Sequence, residues 1–270
     1  MDRYAVLGNP VGHSLSPRIH ALFAEQTRES ISYEALEVPP DAFLPFVENL
    51  HAEGYQGMNI TIPFKEQAWA MSEQRSQRAE LAGAVNTLIR TQTGYKGDNT
   101  DGIGLLNDLT KNLGAKLCGA NILLLGAGGA VRGVLQPLLE GQPERLHIAN
   151  RTANRAKALA ETFSDLGPTH GSGLDGPFAQ YDIIINGTAT SLQGEIPAIP
   201  DGLLKPGGIC YDMMYSRNGD TAFVQWGKNQ GARISSDGLG MLVEQAAESF
   251  YLWRDMRPNT RSILQTLRAE

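Results

Sequence analysis

The chain has 270 residues, 41% hydrophobic and 19% charged, a balance that excludes a disordered or fibrous protein and leaves room for one large domain or two ordinary ones. A formal net charge of −6 excludes a nucleic-acid binder that works through a broad basic face, though a local basic pocket for a small anion remains open. The first hundred residues alternate between two periodicities. "RYAVLG" (3–8) reads as a strand and "PRIHALFAEQ" (17–26) as a helix. "ISYEALEV" (31–38) is a strand, "DAFLPFVENL" (41–50) a helix despite Pro45, and "GMNITI" (57–62) a strand in which Ile60 and Ile62 anchor and Thr61 faces away. This βαβαβ rhythm predicts a mainly parallel sheet with helices on its faces. "AVNTLIR" and "TGYKG" (84–97) predict a closing strand and hairpin, which makes the sheet mixed.

A helix is expected over "DGIGLLNDLTKNL" (101–113). It leads into a second unit, with strands "NILLLG" (121–126), "RLHIAN" (145–150), "YDIIING" (181–187), "GICYDMMY" (208–215) and "ARISS" (232–236), and a helix over 153–163. The stretches 167–177 and 187–208 read as loops. "MLVEQAAESFYLWRDM" (241–256) is a long amphipathic helix, and another follows Pro258, placed in its first turn. The fold class is therefore α/β, as two α/β domains with a cleft between them, where ligands usually bind.

Cys118 and Cys210 match no metal or redox spacing, and the five histidines contain no HExxH pair, so no metal is expected. Met1–Pro10 lacks a signal-peptide pattern, and the apolar runs are too short to span a bilayer, so a cytoplasmic protein with neither membrane nor nucleic-acid partner is expected.

The strongest local motif is "LLLGAGGAVRG" (123–133). A buried strand runs into Gly126-Ala127-Gly128-Gly129, and a helix opens there. Glycines in that turn let backbone N–H groups approach a pyrophosphate at the helix N-terminus. Val131 stands where the third glycine of GxGxxG belongs. An NAD site places Asp or Glu at the end of the next strand. Here "HIANRTANRAK" (147–157) supplies Asn150, Arg151, Thr152 and Arg155 and no acid, which suits a 2′-phosphate and predicts NADP(H).

Two further segments carry chemistry. In "GNPVGHSLSPRIHALF" (8–23), Ser16-Pro17 is a helix-capping pair, whereas Ser14 is not needed for capping, so the two hydroxyls suit a carboxylate or phosphate. "KGDNTDGIG" (96–104) fails as a calcium loop, because Thr100, Gly102 and Leu109 fall at ligand positions counted from Asp98. It reads either as a polar hinge with Asp101 capping the next helix, or as the source of a carboxylate that meets Lys65, at the end of "NITIPFK", across the cleft.

Through "SLSP", "NITIPFK", "AGAVNT", "GDNTDG", "GAGGA", "NRT" and "GMLVEQAA" the chain resembles the shikimate dehydrogenase family, the NADP-dependent enzymes of aromatic amino-acid biosynthesis, essentially end to end. "NGTATSLQGEIP" (186–197) departs from the family's more compact turn. The resemblance implies an N-terminal mixed-sheet substrate domain (1–101), a Rossmann-like NADP-binding domain (102–237), and C-terminal helices (238–270) that return to the substrate domain. It implies that Lys65 and Asp101 are the catalytic pair, and that Ser14 and Ser16 hold the substrate carboxylate with Tyr215 nearby. Thr61, Asn86 and Gln245 would bond the ring hydroxyls. Gly126 to Ala130 (Gly126, Ala127, Gly128, Gly129, Ala130), Asn150, Arg151, Thr152 and Arg155 would bind NADP, with Met213 and Gly238 near the nicotinamide. The implied substrate is 3-dehydroshikimate or shikimate, the implied assembly a monomer or homodimer. The competing expectations are a quinate/shikimate dehydrogenase with relaxed cofactor use and a non-catalytic NADP-binding sensor.

Overall fold

The computed structural model describes residues 1–176 and 179–270; Pro177, at the end of the loop expected over 167–177, lies outside the described residues. The chain forms two compact units, Met1–Gly104 with Val243–Glu270, and Leu105–Leu242.

The first unit begins with β1 (Asp2–Gly8), α1 (Ser16–Thr27), β2 (Ile31–Glu37), α2 (Phe43–Ala52), β3 (Gly57–Ile60), α3 (Lys65–Met71), β4 (Gln74–Arg75), α4 (Gln77–Ala82), β5 (Thr87–Arg90) and β6 (Tyr95–Asp98). The sheet order is β2-β1-β3-β5-β6-β4. β1 runs parallel to β2 and β3, while β5 pairs antiparallel with β3 and β6, so the sheet is mixed. Pro45 is tolerated because it falls in the first turn of α2, where a backbone N–H lacks a helical partner anyway. The core gathers Leu7, Val47, Met58, Val85, Leu88 and Phe64, whose ring stacks on Phe43 with centroids 4.8 Å apart.

Several boundaries differ from expectation. β3 stops at Ile60, and Ile62, expected as an anchor, is 73% exposed, because the chain turns at Thr61 and Phe64 takes the buried position instead. α3, α4 and β4 have no counterpart in the hydrophobic pattern, being seven, six and two residues long.

α5 (Asp101–Asn107) begins in the first unit and leads along the chain into the second, continuing as a π-helical turn over Asp108–Asn112 instead of a plain helix. There follow β7 (Asn121–Leu125), α6 (Gly129–Glu140), β8 (Arg145–Ala149), α7 (Ala153–Thr162), β9 (Thr169–Ser172), β10 (Tyr181–Asn186), β11 (Leu204–Asp212), α8 (Ala222–Asn229) and β12 (Ile234–Ser236). All five strand pairings are parallel, in the order β12-β11-β10-β7-β8-β9. Counted from β9, this is the strand order 3-2-1-4-5-6 of a dinucleotide-binding sheet, whose reversal lies between β7 and β10. β9 falls in a stretch expected to be loop; "THGS" is polar, and Gly171 is there because a side chain would run into the Ala156 carbonyl of α7. The 187–208 segment likewise contains a 3₁₀ turn at Thr190–Gln193 and the first residues of β11.

α9 (Leu239–Arg254) and α10 (Thr260–Ala269) close the chain. Pro258 lies before the α10 cap rather than in its first turn: Asn259 caps, accepting from the Ser262 N–H. The end of α9 is fixed to the first sheet by Trp253, which donates from Nε1 to the Leu88 carbonyl at 3.0 Å, stacks on Tyr4, and fills the space a side chain at Gly57 would need. No helix among the described residues is long and apolar enough to cross a membrane.

Arg78 on α4 joins β6 to α9, pairing with Asp98 at 2.6 Å and Glu248 at 3.2 Å, both acids being buried. Burial pulls Asp98 upward, but the bonds from Arg78, Ser76 and the Asn99 N–H outweigh it and hold its carboxyl below the usual carboxylate range. A depressed folded-state pKa stabilises the fold above the unfolded value of about 4 and ceases to do so as pH falls through the folded value. Arg78→Ala leaves the buried Asp98 carboxylate without its cation, while Glu248 keeps Arg257 at 2.8 Å, and is expected to cost about 3–5 kcal/mol. Urea unfolding at pH 7 measures that loss, and the gap between variant and parent should narrow as the pH is lowered below about 4, where Asp98 protonates.

Candidate active site and cofactor site

In the first unit, the carboxyl ends of β1 and β3 and the adjoining ends of β5 and β6 meet at one edge. The Ile60 N–H bonds to the Asn86 carbonyl and the Asn86 N–H to the Asp98 carbonyl. Antiparallel pairing is what allows the residue before β5 and the residues after β6 to join the end of the parallel strand β3.

At that edge the Lys65 ammonium, on the first residue of α3, lies 2.6 Å from Asp101 Oδ2. Both residues belong to the same unit, so this pair, expected across a cleft, forms within one body. Asp101 is not the cap of α5 but its first residue; Asn99 Oδ1 accepts the Asp101 N–H at 3.1 Å and orients it. The second Asp101 oxygen accepts from Asn86 Nδ2 at 2.8 Å, and the same amide nitrogen reaches Gln245 Oε1 at 2.9 Å. The side chain of Asp101 is 7% exposed and that of Lys65 26%, so the acid is enclosed while the amine reaches outward. An ammonium has three hydrogens and Asp101 takes one, which leaves others for an external acceptor.

Ser14 and Ser16 lie after β1. The helix begins at Ser16 with Leu15 in the cap position, and Ser14 Oγ accepts the Ser16 N–H at 3.2 Å. The roles are thus exchanged from the expected ones: Ser14 serves the helix end and Ser16 does not cap it. Thr61 packs its methyl group over Gly8, where a side chain would collide with it, and among the described residues its hydroxyl has no hydrogen-bond partner.

The second unit sets its candidate residues along the carboxyl ends of consecutive strands. The Gly126 N–H bonds to the Ala149 carbonyl, the Gly187 N–H to Leu125, and the Met213 N–H to Asn186, which places the four strand ends side by side. Gly126 needs its glycine for a φ of +111°. Gly128 and Gly129 do not, since Gly128 has φ −92° and a side chain on either would project into open space. Their bareness answers to no contact among the described residues, and they stand at the N-terminus of a 12-residue helix with no acid in its first turn and no side-chain cap, a place suited to an anion. Ala127 and Ala130 flank them in the same turn. Val131, in place of the third glycine, packs where a side chain on Gly187 would stand, so the close helix–strand approach is made by the glycine of the neighbouring strand.

One strand over, Arg151 and Arg155 are exposed at the start of α7 without an acidic partner among the described residues, and Asn150 Nδ2 bonds to the Thr152 carbonyl at 3.0 Å. On the other side, Gly238 presses against the Met213 carbonyl, a contact that any side chain would block, so Met213 and Gly238 are neighbours. Tyr215 follows two residues later, half-buried. Asp212, buried beneath this edge, is pushed up by burial although Thr221, Asn186 and the Met214 N–H donate to it.

Hydrophobic patterning does not single out Asn59, Thr87, Thr100 and Ser249, which cluster behind Asn86. Their available signal is polarity inside apolar strands, as in "GMNI" and "VNTL".

The model of the shikimate dehydrogenase substrate-binding domain matches residues 6–88, that of shikimate / quinate 5-dehydrogenase residues 108–194, and that of the shikimate 5'-dehydrogenase C-terminal domain residues 238–268. A shikimate dehydrogenase (NADP(+)) of Alkalilimnicola ehrlichii is 53% identical, with 100% of this chain and 99% of that protein covered. One of Methylococcus capsulatus is 54% identical over 100% of this chain and 97% of that protein. The shikimate 5-dehydrogenase of Thermus thermophilus, solved with NADP(H) and shikimate, superposes with a TM-score of 0.88 at 35% identity, covering 100% of this chain and 98% of that one. Sequence and fold agree along the whole length, and the chain belongs to the shikimate dehydrogenase family.

Proposed function

We propose that the chain catalyses the reversible NADPH-dependent reduction of 3-dehydroshikimate to shikimate, the reaction named by its relatives. The observation that carries the reading is the Lys65–Asp101 pair at the end of β3, with a partly exposed ammonium backed by an enclosed carboxylate. A non-catalytic NADP-binding protein has no use for that pair.

The unit built around residues 1–101 and the C-terminal helices takes the substrate, and the parallel-sheet unit takes the cofactor. Bare backbone at Gly128 and Gly129, and guanidiniums at Arg151 and Arg155 that meet no acid among the described residues, fit a pyrophosphate and a 2′-phosphate respectively. When bound, NADPH supplies the hydride that reduces the ring carbonyl carbon. Met213 and Gly238 border the nicotinamide, Ser14, Ser16 and Tyr215 hold the substrate carboxylate, and Thr61, Asn86 and Gln245 bond the ring hydroxyls.

Lys65 donates its proton to the oxygen that gains charge as the carbonyl is reduced, and its positive charge steadies that oxygen beforehand. Asp101 keeps the amine aimed through its 2.6 Å contact. The exposed flank of Lys65 lets it regain a proton from solvent. In the oxidative direction the amine removes the hydroxyl proton. Met1–Glu270 acts as monomer or homodimer in this reading.

Lys65→Ala is expected to lower kcat by about 100- to 10,000-fold while leaving NADPH binding unchanged in fluorescence titration. Turnover near that of the parent would remove Lys65 from the chemistry. Arg151→Ala is expected to raise the KM for NADPH by about 10- to 100-fold and leave NADH use unaltered; an unchanged preference between the two would mean that Arg151 does not read the 2′-phosphate. Oxidation assays run in parallel with shikimate and with quinate decide between a shikimate enzyme and a broader shikimate/quinate one, since the matching family model covers both.

A further inference from the structure

Ser249 lies on α9 one turn beyond Gln245, fully buried. Four polar groups surround its hydroxyl: Asn59 Nδ2 at 2.9 Å, Thr87 Oγ1 at 2.8 Å, Thr100 Oγ1 at 3.3 Å and the Gln245 carbonyl at 3.1 Å. The Gln245 carbonyl can only accept its hydrogen and the Asn59 amide can only donate to its lone pairs, while the Thr87 and Thr100 hydroxyls can each give or take.

The same logic orients the amides above it. The Thr100 N–H can only donate, so the Asn86 atom it meets at 2.8 Å is Oδ1, which also accepts from Thr87 Oγ1 at 2.9 Å. Asn86 Nδ2 therefore faces Asp101 Oδ1 at 2.8 Å, Gln245 Oε1 at 2.9 Å and Thr100 Oγ1 at 3.0 Å, and its two hydrogens serve these acceptors, the first two being the shorter bonds. Gln245 must in turn present its NH2 group away from Asn86. The outcome is a site edge with set polarity, in which Lys65 and Gln245 offer donors and each Asp101 oxygen already has one.

We infer that Ser249 is a positioning residue for the substrate: by bonding the backbone of Gln245 and the threonine and asparagine groups beneath Asn86, it fixes the direction in which Gln245 offers its amide hydrogens to a ring hydroxyl. The inference rests on the proposed reading in which that hydroxyl lies against Gln245. It explains why a serine occupies a helix-interior position where alanine has the higher helix propensity. Without the hydroxyl, Asn59 and the threonines lose a partner, Asn86 is no longer clamped, and the Gln245 side chain can turn over.

The test is a double-mutant cycle with shikimate as substrate. Ser249→Ala is expected to raise the KM for shikimate about 3- to 10-fold, with the KM for NADP⁺ unchanged, and Ser249→Cys, of similar size, serves should the alanine variant fold poorly. In a Gln245→Ala background, Ser249→Ala should add less than about 2-fold, because the group it aims is gone. If Ser249 only supports the fold, its full factor returns in that background, or the KM values for both substrates change together, and the inference is overturned. Should the parent enzyme itself fail to oxidise shikimate, the proposed function falls instead, so the two failures are distinguishable.

Discussion

Asp101 holds the first unit's site together because each of its carboxylate oxygens has a different assigned partner. One takes the Lys65 ammonium and the other the Asn86 amide. A carboxylate enclosed to this degree is tolerable only when charge and hydrogen bonds both compensate it. That requirement reaches outward. Asn86 turns its amide nitrogen to Asp101 because its oxygen accepts from the Thr100 N–H and the Thr87 hydroxyl, and the hydroxyls of both threonines meet Ser249. The ammonium, the amides and the hydroxyls form one network in which few groups can rotate independently. Catalytic geometry of this kind depends on the supporting groups as much as on the reacting ones.

The second unit solves a different problem with a different device. It contributes bare backbone and strand ends, and its geometry comes from packing. Gly187 and Val131 exchange bulk so that α6 can lie close to β10, which keeps the helix N-terminus over the sheet edge without the usual third glycine. Gly238 does the same for the segment after β12, bringing it against the Met213 carbonyl. Glycines at 126, 187 and 238 answer to the protein's own interior, whereas those at 128 and 129 answer to nothing inside it.

How much of this could be read from the sequence depends on which force places each residue. The long alternations of the parallel strands, the glycine turn and the paired arginines follow from local rules, because hydrophobic period and backbone freedom are written in neighbouring residues. The short elements α3, α4 and β4 are too brief to show a period, and β9 is held by the approach of Gly171 to α7, a contact from outside its own segment. Ile62 misleads by composition: an isoleucine after an alternating run reads as strand, yet the turn at Thr61 sends it to solvent. The exchange of roles between Ser14 and Ser16 has the same origin, since a Ser-Pro pair suggests a cap and the actual helix starts one residue early.

The cluster behind Asn86 is the least legible part of the site, for a reason that bears on how it works. Asn59 and Ser249 are 190 residues apart in sequence and bonded in space, so no local pattern links them. Each alone is an unremarked polar residue in an apolar segment. A strand interior accepts an asparagine, and a buried helix face accepts a serine, only if partners arrive from elsewhere. Their presence is thus a demand that the rest of the fold must meet, and α9 meets it by placing Ser249 and Gln245 on the same face, four residues apart, one aimed into the core and the other at Asn86. Deep polarity in this unit is therefore the support on which the orientation of the exposed donors rests.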